Sequence, residues 1–354
     1  MPQTPMRILL VADQFYAANN GMTISARRFA QVLRQHGHEV RVLCFGKPEF
    51  LASGERAYLL KKQYIPIFDD LISSQGMTFA KVDKAVIREA VEWADIIHFL
   101  TPFALTHATR WADIVHFLVP FALSHHGIKI ARELKVPYTA AFHVQPENIT
   151  SSIHLGKVGW INTAIYHWFH FYVYRYCTHI HCPSNFIAGE LRRTGYEAQL
   201  HVISNGIDPD FQYRKLPKTD EFAGKFLILM TGRLSIEKRQ DVLVEAVAQS
   251  KHKDEIHLVL AGKGPRKEKI LALAKKRGVL LTNRFFPKPE LLDLIAMADL
   301  YVHAADMEIE AMSCMEAFAG GLVPVIANSP KSATPQFAMD ERSLFPAGDS
   351  AALA

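Results

Sequence analysis

No apolar run in this 354-residue chain approaches the length of a membrane span. The opening stretch Ile8-Leu9-Leu10-Val11-Ala12 is cut by Asp13, too soon for the hydrophobic region of a signal peptide. Cysteine is scarce. Cys44, Cys177, Cys182 and Cys314 cannot build a disulfide framework over so long a chain, which suits a reducing compartment. Long runs of one charge sign are missing as well: 40 basic and 35 acidic residues are interspersed, and the net charge of +5 favours anionic ligands only weakly. No nucleic-acid partner is expected, and a cytoplasmic location is the simplest reading. The sequon Asn148-Ile149-Thr150 is then expected to stay unmodified.

What is present is a soluble composition, 49% hydrophobic and 21% charged, in a chain long enough for two domains. Short apolar runs alternate with helical patterns, the signature of parallel sheets covered by helices. One series begins with strands over 7–12 and 39–45, and continues with strands near 96–100 or 114–118, 138–142, 179–182 and 200–203. The polar stretch 206–222 contains two prolines and a glycine and reads as a connector. A second series follows, with strands over 226–231, 256–261, near 280, 300–304 and 323–327, and helices between them. These patterns predict an α/β protein with two doubly wound Rossmann-like domains facing a central cleft, over 1–205 and 223–354.

The first domain contains a near-repeat. "WADIIHFLTPFALTH" from Trp93 and "WADIVHFLVPFALSH" from Trp111 differ only at Ile97/Val115, Thr101/Val119 and Thr106/Ser124. Nothing else recurs at this period, so the duplicate segments 93–110 and 111–128 do not make a solenoid. Each copy offers one strand and a following segment that looks short for a parallel crossover. The expectation is therefore that one copy supplies the strand and the other bulges out or competes in register.

Chemistry gathers in the second half. In "TGRLSIEKR" a strand ends at Thr231, Gly232 permits close backbone approach, and Arg233 and Lys238 flank a helix start. Free helix N–H groups plus two cations suit a diphosphate; a solvated basic helix start is the plain alternative. In "EIEAMSCMEA", Glu308 and Glu316 lie eight residues apart, up to ~12 Å along a helix, about the reach from ribose to hexose in a sugar nucleotide. One glutamate can accept from ribose hydroxyls and the other from sugar hydroxyls, while backbone N–H groups after it face phosphate; a solvent-facing pair of glutamates is the plain alternative.

Together with the start "MRILLVADQFYAANNGMTISARRFAQVLRQHGHEV", "AAFHVQPENIT", "CPSNFIAGEL", "ISNGIDPDF" and "LVLAGKGP", these motifs resemble the retaining glycosyltransferases of family 4, which have the two-domain GT-B fold. The resemblance covers most of the chain. It implies that Glu316 binds the donor ribose, that Arg233 and Lys238 bind the diphosphate and that Glu308 binds the donor sugar. Gly21, Gly262, Ala311 and Met312 are carried over as donor-side positions, and His143 as the active-site histidine beside the transferred sugar.

The sequence departs from the family pattern at Asn20-Gly21, where two glycines are common, and at Glu310-Ala311, where a Phe-Gly pair is common. The "EIEAMSCMEA" segment looks most like bacterial enzymes that glucosylate diacylglycerol or related lipids. The implied activity is a metal-independent, retaining hexosyl transfer from a nucleotide diphosphate sugar such as UDP-glucose to a hydroxyl acceptor such as a membrane lipid, with no cofactor. The alternatives are a sugar-nucleotide epimerase on the same fold and a non-catalytic nucleotide-sugar-binding protein.

Donors fixed beside a diphosphate stabilise the charge of the leaving group more in the transition state than in the ground state. A glycosidase-like double displacement needs a second carboxylate about 5 Å from Glu308, and the sequence offers none convincingly. Asp208 and Asp210 have the letters of a metal-binding pair, yet lie in the connector, where Asp208 is expected to shape a turn. "CTHIHC" imitates zinc ligands, but strand alternation sends His179 and His181 to one face and Cys182 to the other.

The stretch "GKVGWINTAIYHWFHFYVYRYC" over 157–176 reads as a helix with a polar stripe of Thr163, His167, His170 and Tyr174. Its apolar face is expected to be core, or a membrane-surface contact that would make the protein peripheral. Beyond "FPAGDSAALA" the family's final helices are expected, and without them domain closure would be weakened.

Overall fold

The computed structural model describes residues 5–15, 21–48, 51, 56–64, 79–81, 83–99, 114–118, 120, 122–151 and 158–354. The chain falls into two compact units. One comprises Met1–Val144, Thr163–Cys182 and Ala188–Ile203; the other comprises Gln145–Asn162, Pro183–Ile187 and Ser204–Ala354.

The first half of the chain runs β1 (Arg7–Gln14), α1 (Gly21–Gln35), β2 (Glu39–Phe45), β3 (Ala57–Leu60), β4 (Lys62–Gln63), β5 (Phe79–Ala80), α2 (Lys84–Trp93), β6 (Ile96–Phe99) and β7 (Val115–Phe117). It continues with α3 (Ala122–Leu134), β8 (Tyr138–Ala141), α4 (Pro146–Ser151), α5 (Gly159–Tyr172), β9 (His179–Cys182), α6 (Asn185–Arg193) and β10 (Gln199–Val202). Eight strands form one sheet in the order β10-β9-β8-β7-β6-β1-β2-β3, every pair parallel. Ile8, Leu9, Leu10 and Val11 of β1 are all buried, as expected for a strand covered on both faces. Gly37, at φ +85, lets the chain turn out of α1 into β2.

The duplicate segments depart from expectation. Both copies are strands, and they are neighbours: Ile97 pairs with Val115, His98 with His116 and Phe99 with Phe117. The idea that one copy bulges out is corrected. Residues 100–114 join the two strands, which exceeds the dozen or so that a parallel crossover needs. The repeat therefore inserts a whole strand and keeps the side-chain alternation of both copies in phase. Residues 100–113 themselves lie outside the described residues.

The second half runs β11 (Phe226–Thr231), α7 (Gln240–Gln249), β12 (Ile256–Ala261), α8 (Lys267–Arg277), β13 (Leu281–Arg284), α9 (Lys288–Met297), β14 (Leu300–His303), α10 (Met312–Ala319), β15 (Pro324–Asn328), β16 (Leu344–Pro346) and α11 (Ser350–Leu353). Its six-stranded parallel sheet has the order β13-β12-β11-β14-β15-β16. All six residues of β12 are buried. One core cluster includes Leu227, Leu229, Val259, Tyr301 and Cys314, and the other includes Ile228, Met230, Leu258, Leu260 and Val302, so each face of the sheet has its own. Phe211 and Phe222, from the stretch read as a connector, are buried in the first of these clusters.

In α5 the buried positions are Asn162, Tyr166 and Phe169, followed by Val173 and Tyr174 just beyond the helix. The expected polar stripe is corrected. Tyr174 is fully buried and its hydroxyl donates to the Ala141 carbonyl at 2.8 Å, while the His170 ring lies against Tyr196, 4.7 Å between centroids. A phenol can satisfy its one donor on a backbone carbonyl and remain core, which periodicity alone does not reveal.

Candidate active site

Of the residues expected on the donor side, Arg233, Lys238 and Gly262 lie just beyond strands of the second sheet. At the ends of β11 and β12 two loops interlock: Gly232 N–H donates to Ala261 O, Leu234 N–H to Lys263 O and Arg266 N–H to Leu234 O, at 3.0, 3.0 and 3.1 Å. The fit leaves no room for side chains. A Cβ on Gly262 would lie 1.9 Å from the Gly232 carbonyl oxygen, and one on Gly264 would lie 2.2 Å from that of Leu234. The interlock carries the chain from Arg233, which is exposed, to Lys238, which is not.

Lys238 Nζ donates to Glu308 Oε1, and His303 Nε2 donates to the same oxygen at 3.1 Å. His303 is completely buried and the Glu308 side chain is 13% exposed. Burial by itself would raise the Glu308 pKa, but the Lys238 ammonium and the His303 hydrogen bond outweigh it and hold the carboxyl down at about 2. Behind His303 the bonding continues: its Nδ1 lies 3.3 Å from the Tyr301 hydroxyl, which lies 3.2 Å from Thr231 Oγ1. Burial keeps the Tyr301 phenol protonated far above its ordinary range.

Beyond Glu308 the backbone turns into α10. Ala311 takes the left-handed conformation, φ +67, at the helix start, and Met312 is the first helical residue. This is the place where the family pattern has glycine. Glu316 stands in the second turn of α10, half-buried. Glu310, noted only as a departure from the pattern, is buried and accepts from the Asn205 backbone N–H at 2.9 Å and from Asn205 Nδ2 at 2.6 Å. Thus Lys238 and Glu308 are brought into direct contact, with Ala311 and Met312 three and four residues beyond the glutamate.

Two sequence-predicted residues belong to the first unit. Gly21 opens α1. His143 follows β8, and its ring meets that of His181 edge-on, 5.3 Å between centroids. It is one of four histidines on adjacent strands or just beyond them: His98 and His116 pack edge-on at 5.0 Å, and His116 Nδ1 contacts Thr139 Oγ1 at 2.5 Å. Burial and neighbouring imidazoles lower the pKa of His98 to about 4 and of His143 to about 3, and those of His116 and His181 also fall. These rings are neutral hydrogen-bonding groups at neutral pH.

The motifs that imitate metal sites have other partners. Lys288 Nζ lies 2.6 Å from both Asp208 and Asp210, and Asp208 Oδ1 accepts from Asp210 N–H, so Asp208 does shape the turn. His179 Nδ1 meets His201 Nε2 at 3.0 Å, and His181 Nε2 donates to Ile203 O at 2.6 Å. Burial pushes the Cys177 and Cys182 thiols up to about 12, so neither is a ready thiolate ligand. No group of three metal-ligating side chains occurs among the described residues.

Residues 19–211 match the family model "Glycosyltransferase Family 4" and residues 212–354 match "Glycosyl transferases group 1". The chain belongs to glycosyltransferase family 4. This glycosyltransferase is 27% identical over 336 residues to a GDP-mannose-dependent alpha-mannosyltransferase of Corynebacterium glutamicum, covering 91% of this chain and 72% of the relative. It is 26% identical over 342 residues to the alpha-monoglucosyldiacylglycerol synthase of Streptococcus pneumoniae, covering 91% and 71%. Anabaena HepE in complex with UDP and glucose superposes with a TM-score of 0.66 at 17% identity, over 99% of this chain and 88% of that one, and shares the GT-B fold of two Rossmann-like domains. The glycosyltransferase is thus a hexosyltransferase that uses a nucleotide sugar, related to glycolipid synthases.

Proposed function

We propose that the protein transfers glucose from UDP-glucose to a hydroxyl of a diacylglycerol-type lipid, with retention of configuration and without a catalytic metal. The observation that carries the reading is the Lys238–Glu308 pair beside the start of α10, where a cation, a carboxylate and a helix N-terminus converge. Breaking a glycosyl diphosphate builds negative charge on the leaving group and positive charge on the sugar. Lys238, Arg233 and the N–H groups at Ala311 and Met312 bind the diphosphate; Glu316 binds the ribose; Glu308 accepts from the sugar.

His143, neutral at working pH, serves as a hydrogen-bonding partner of the sugar. The tight turn at Gly262 lets backbone approach the donor, and Gly21, at the start of α1, is a donor-side position by resemblance to the family. The acceptor attacks from the face that the diphosphate leaves, and a departing phosphate oxygen takes the acceptor's proton. The alpha-linked products named for the relatives support retention, because UDP-glucose and GDP-mannose both carry an α-linked diphosphate. The diacylglycerol synthase among the relatives supports glucose and the lipid.

The outer side of α5 supports a peripheral membrane contact. Trp160, Trp168 and Phe171 are 75%, 49% and 63% exposed, and the Arg175 guanidinium lies 4.0 Å above the Phe171 ring. Aromatic rings edged by a cation suit the interface of an anionic bilayer.

The test is release of nucleoside diphosphate by the purified protein from UDP-glucose or GDP-mannose, with EDTA, in the presence and absence of diacylglycerol vesicles. Vesicle-dependent release of UDP and an α-linked glucolipid are expected. Release from GDP-mannose alone would replace the donor, and turnover without acceptor would replace transfer by hydrolysis or epimerisation.

A further inference from the structure

A chain of hydrogen bonds runs from Thr231 at the end of β11 through Tyr301 and His303 of β14 to Glu308. A carboxylate only accepts, so His303 Nε2 carries the proton in its 3.1 Å bond to Glu308 Oε1. Its Nδ1 lies 3.3 Å from the Tyr301 hydroxyl, so both ring nitrogens are bonded. The phenol oxygen in turn lies 3.2 Å from Thr231 Oγ1, with Ser313 as a further partner. Tyr301 and His303 are both fully buried, so the imidazole cannot turn to water for other partners. His303 and Lys238 both engage Oε1. Among the described residues none hydrogen-bonds Oε2.

We propose that His303 is a positioning residue, which with Tyr301 behind it fixes the Glu308 carboxylate so that Oε1 is held by the protein and Oε2 is presented to a hydroxyl of the donor sugar. The inference rests on the reading of Glu308 as the sugar-binding acid, and it assigns work to two residues that do not themselves touch substrate. Lys238 alone cannot do this. An ammonium on a flexible stem attracts a carboxylate without setting its rotation, whereas an imidazole with both nitrogens bonded defines one donor direction. The consequence is selective: the nucleotide is recognised elsewhere, so only binding of the sugar depends on His303.

The experiment measures the affinities of the full chain for UDP and UDP-glucose, and for GDP and GDP-mannose, by calorimetry, in wild type, His303→Leu, His303→Gln and Tyr301→Phe. His303→Leu is expected to weaken the nucleotide sugar about ten-fold or more, the scale of a lost hydrogen bond to a charged group, with the bare nucleotide within about two-fold. His303→Gln, which keeps a donor near the Nε2 position, should recover most of the loss. Tyr301→Phe, which leaves the buried volume nearly unchanged, should give a smaller loss of the same selectivity and serves if His303→Leu does not fold. In a Glu308→Ala background His303→Leu should cost nothing further, because it acts through the missing carboxylate. Equal weakening of nucleotide and nucleotide sugar, no rescue by Gln, or additive losses would overturn the proposal. If wild type binds sugar nucleotide no better than nucleotide, or Glu308→Ala alone changes nothing, it is the reading of Glu308 that fails.

Discussion

His98 and His116 occupy matching positions of the two duplicate segments and stand next to each other on paired strands, their rings 5.0 Å apart. Each is a half-buried base with a lowered pKa, as are His143 and His181. A base whose folded pKa lies below its unfolded value of about 6.5 stabilises the fold above that pH and costs stability as pH falls towards the folded value. The first unit is therefore expected to lose stability between pH 6.5 and about 4, measurable as a falling urea midpoint. His98→Leu should flatten that dependence; an unchanged slope would show that the cluster is not its source.

Glu308 gives the second unit a different window. Its folded pKa is lowered, so its contribution is complete above pH 4.5 and fades only as pH falls towards 2. Acidification should thus unfold the two units in sequence, the first unit ahead. Denaturation followed by hydrogen exchange should resolve the order, and simultaneous loss of both at pH 5 would contradict it.

For the donor site, Lys238→Ala and Glu316→Ala are expected to abolish stabilisation of the protein by UDP-glucose while leaving circular dichroism unchanged. If both variants keep wild-type donor affinity, the assignment of the site is wrong.

Glu310→Ala should remove the acceptor for two Asn205 donors and destabilise the second unit by about 2 kcal/mol. Because the partners form one unit, Asn205→Ala on top should add little, which a double-mutant cycle in urea checks.

Gly262→Ala is expected to cost about 3 kcal/mol, since its Cβ would meet a backbone oxygen that cannot rotate away. Lys135→Gly should do the reverse. Lys135 is an exposed residue at φ +57 just past α3, where Val136 N–H reaches back to Ala131 O at 2.8 Å, and glycine there should add about 1 kcal/mol to the melting free energy.

Much of the fold was legible from alternation alone. The strands Glu39–Phe45, His179–Cys182, Phe226–Thr231 and Ile256–Ala261 have the limits that their apolar runs set. Strands β3 and β16 were not anticipated: they lie at the two sheet edges, where half-buried residues weaken the pattern. At the site, Lys238 and Glu308 were visible as charged residues near helix starts, and the structure joins them. His303, Tyr301 and Thr231 were not, because in a strand they look like ordinary core positions and only the fold lines up their polar atoms. The sole available sign was a histidine ending an otherwise apolar run five residues before Glu308.

The additional strand carries a metric consequence. Neighbouring strands are spaced by about 4.8 Å, so inserting β7 between β6 and β8 moves β8, and with it His143, one rung outward from β1. Excising either eighteen-residue copy would restore the narrower lattice without breaking a pairing rule, since the two copies share one register. Loss of one copy is therefore expected to bring His143 one strand spacing, about 4.8 Å, nearer to β1.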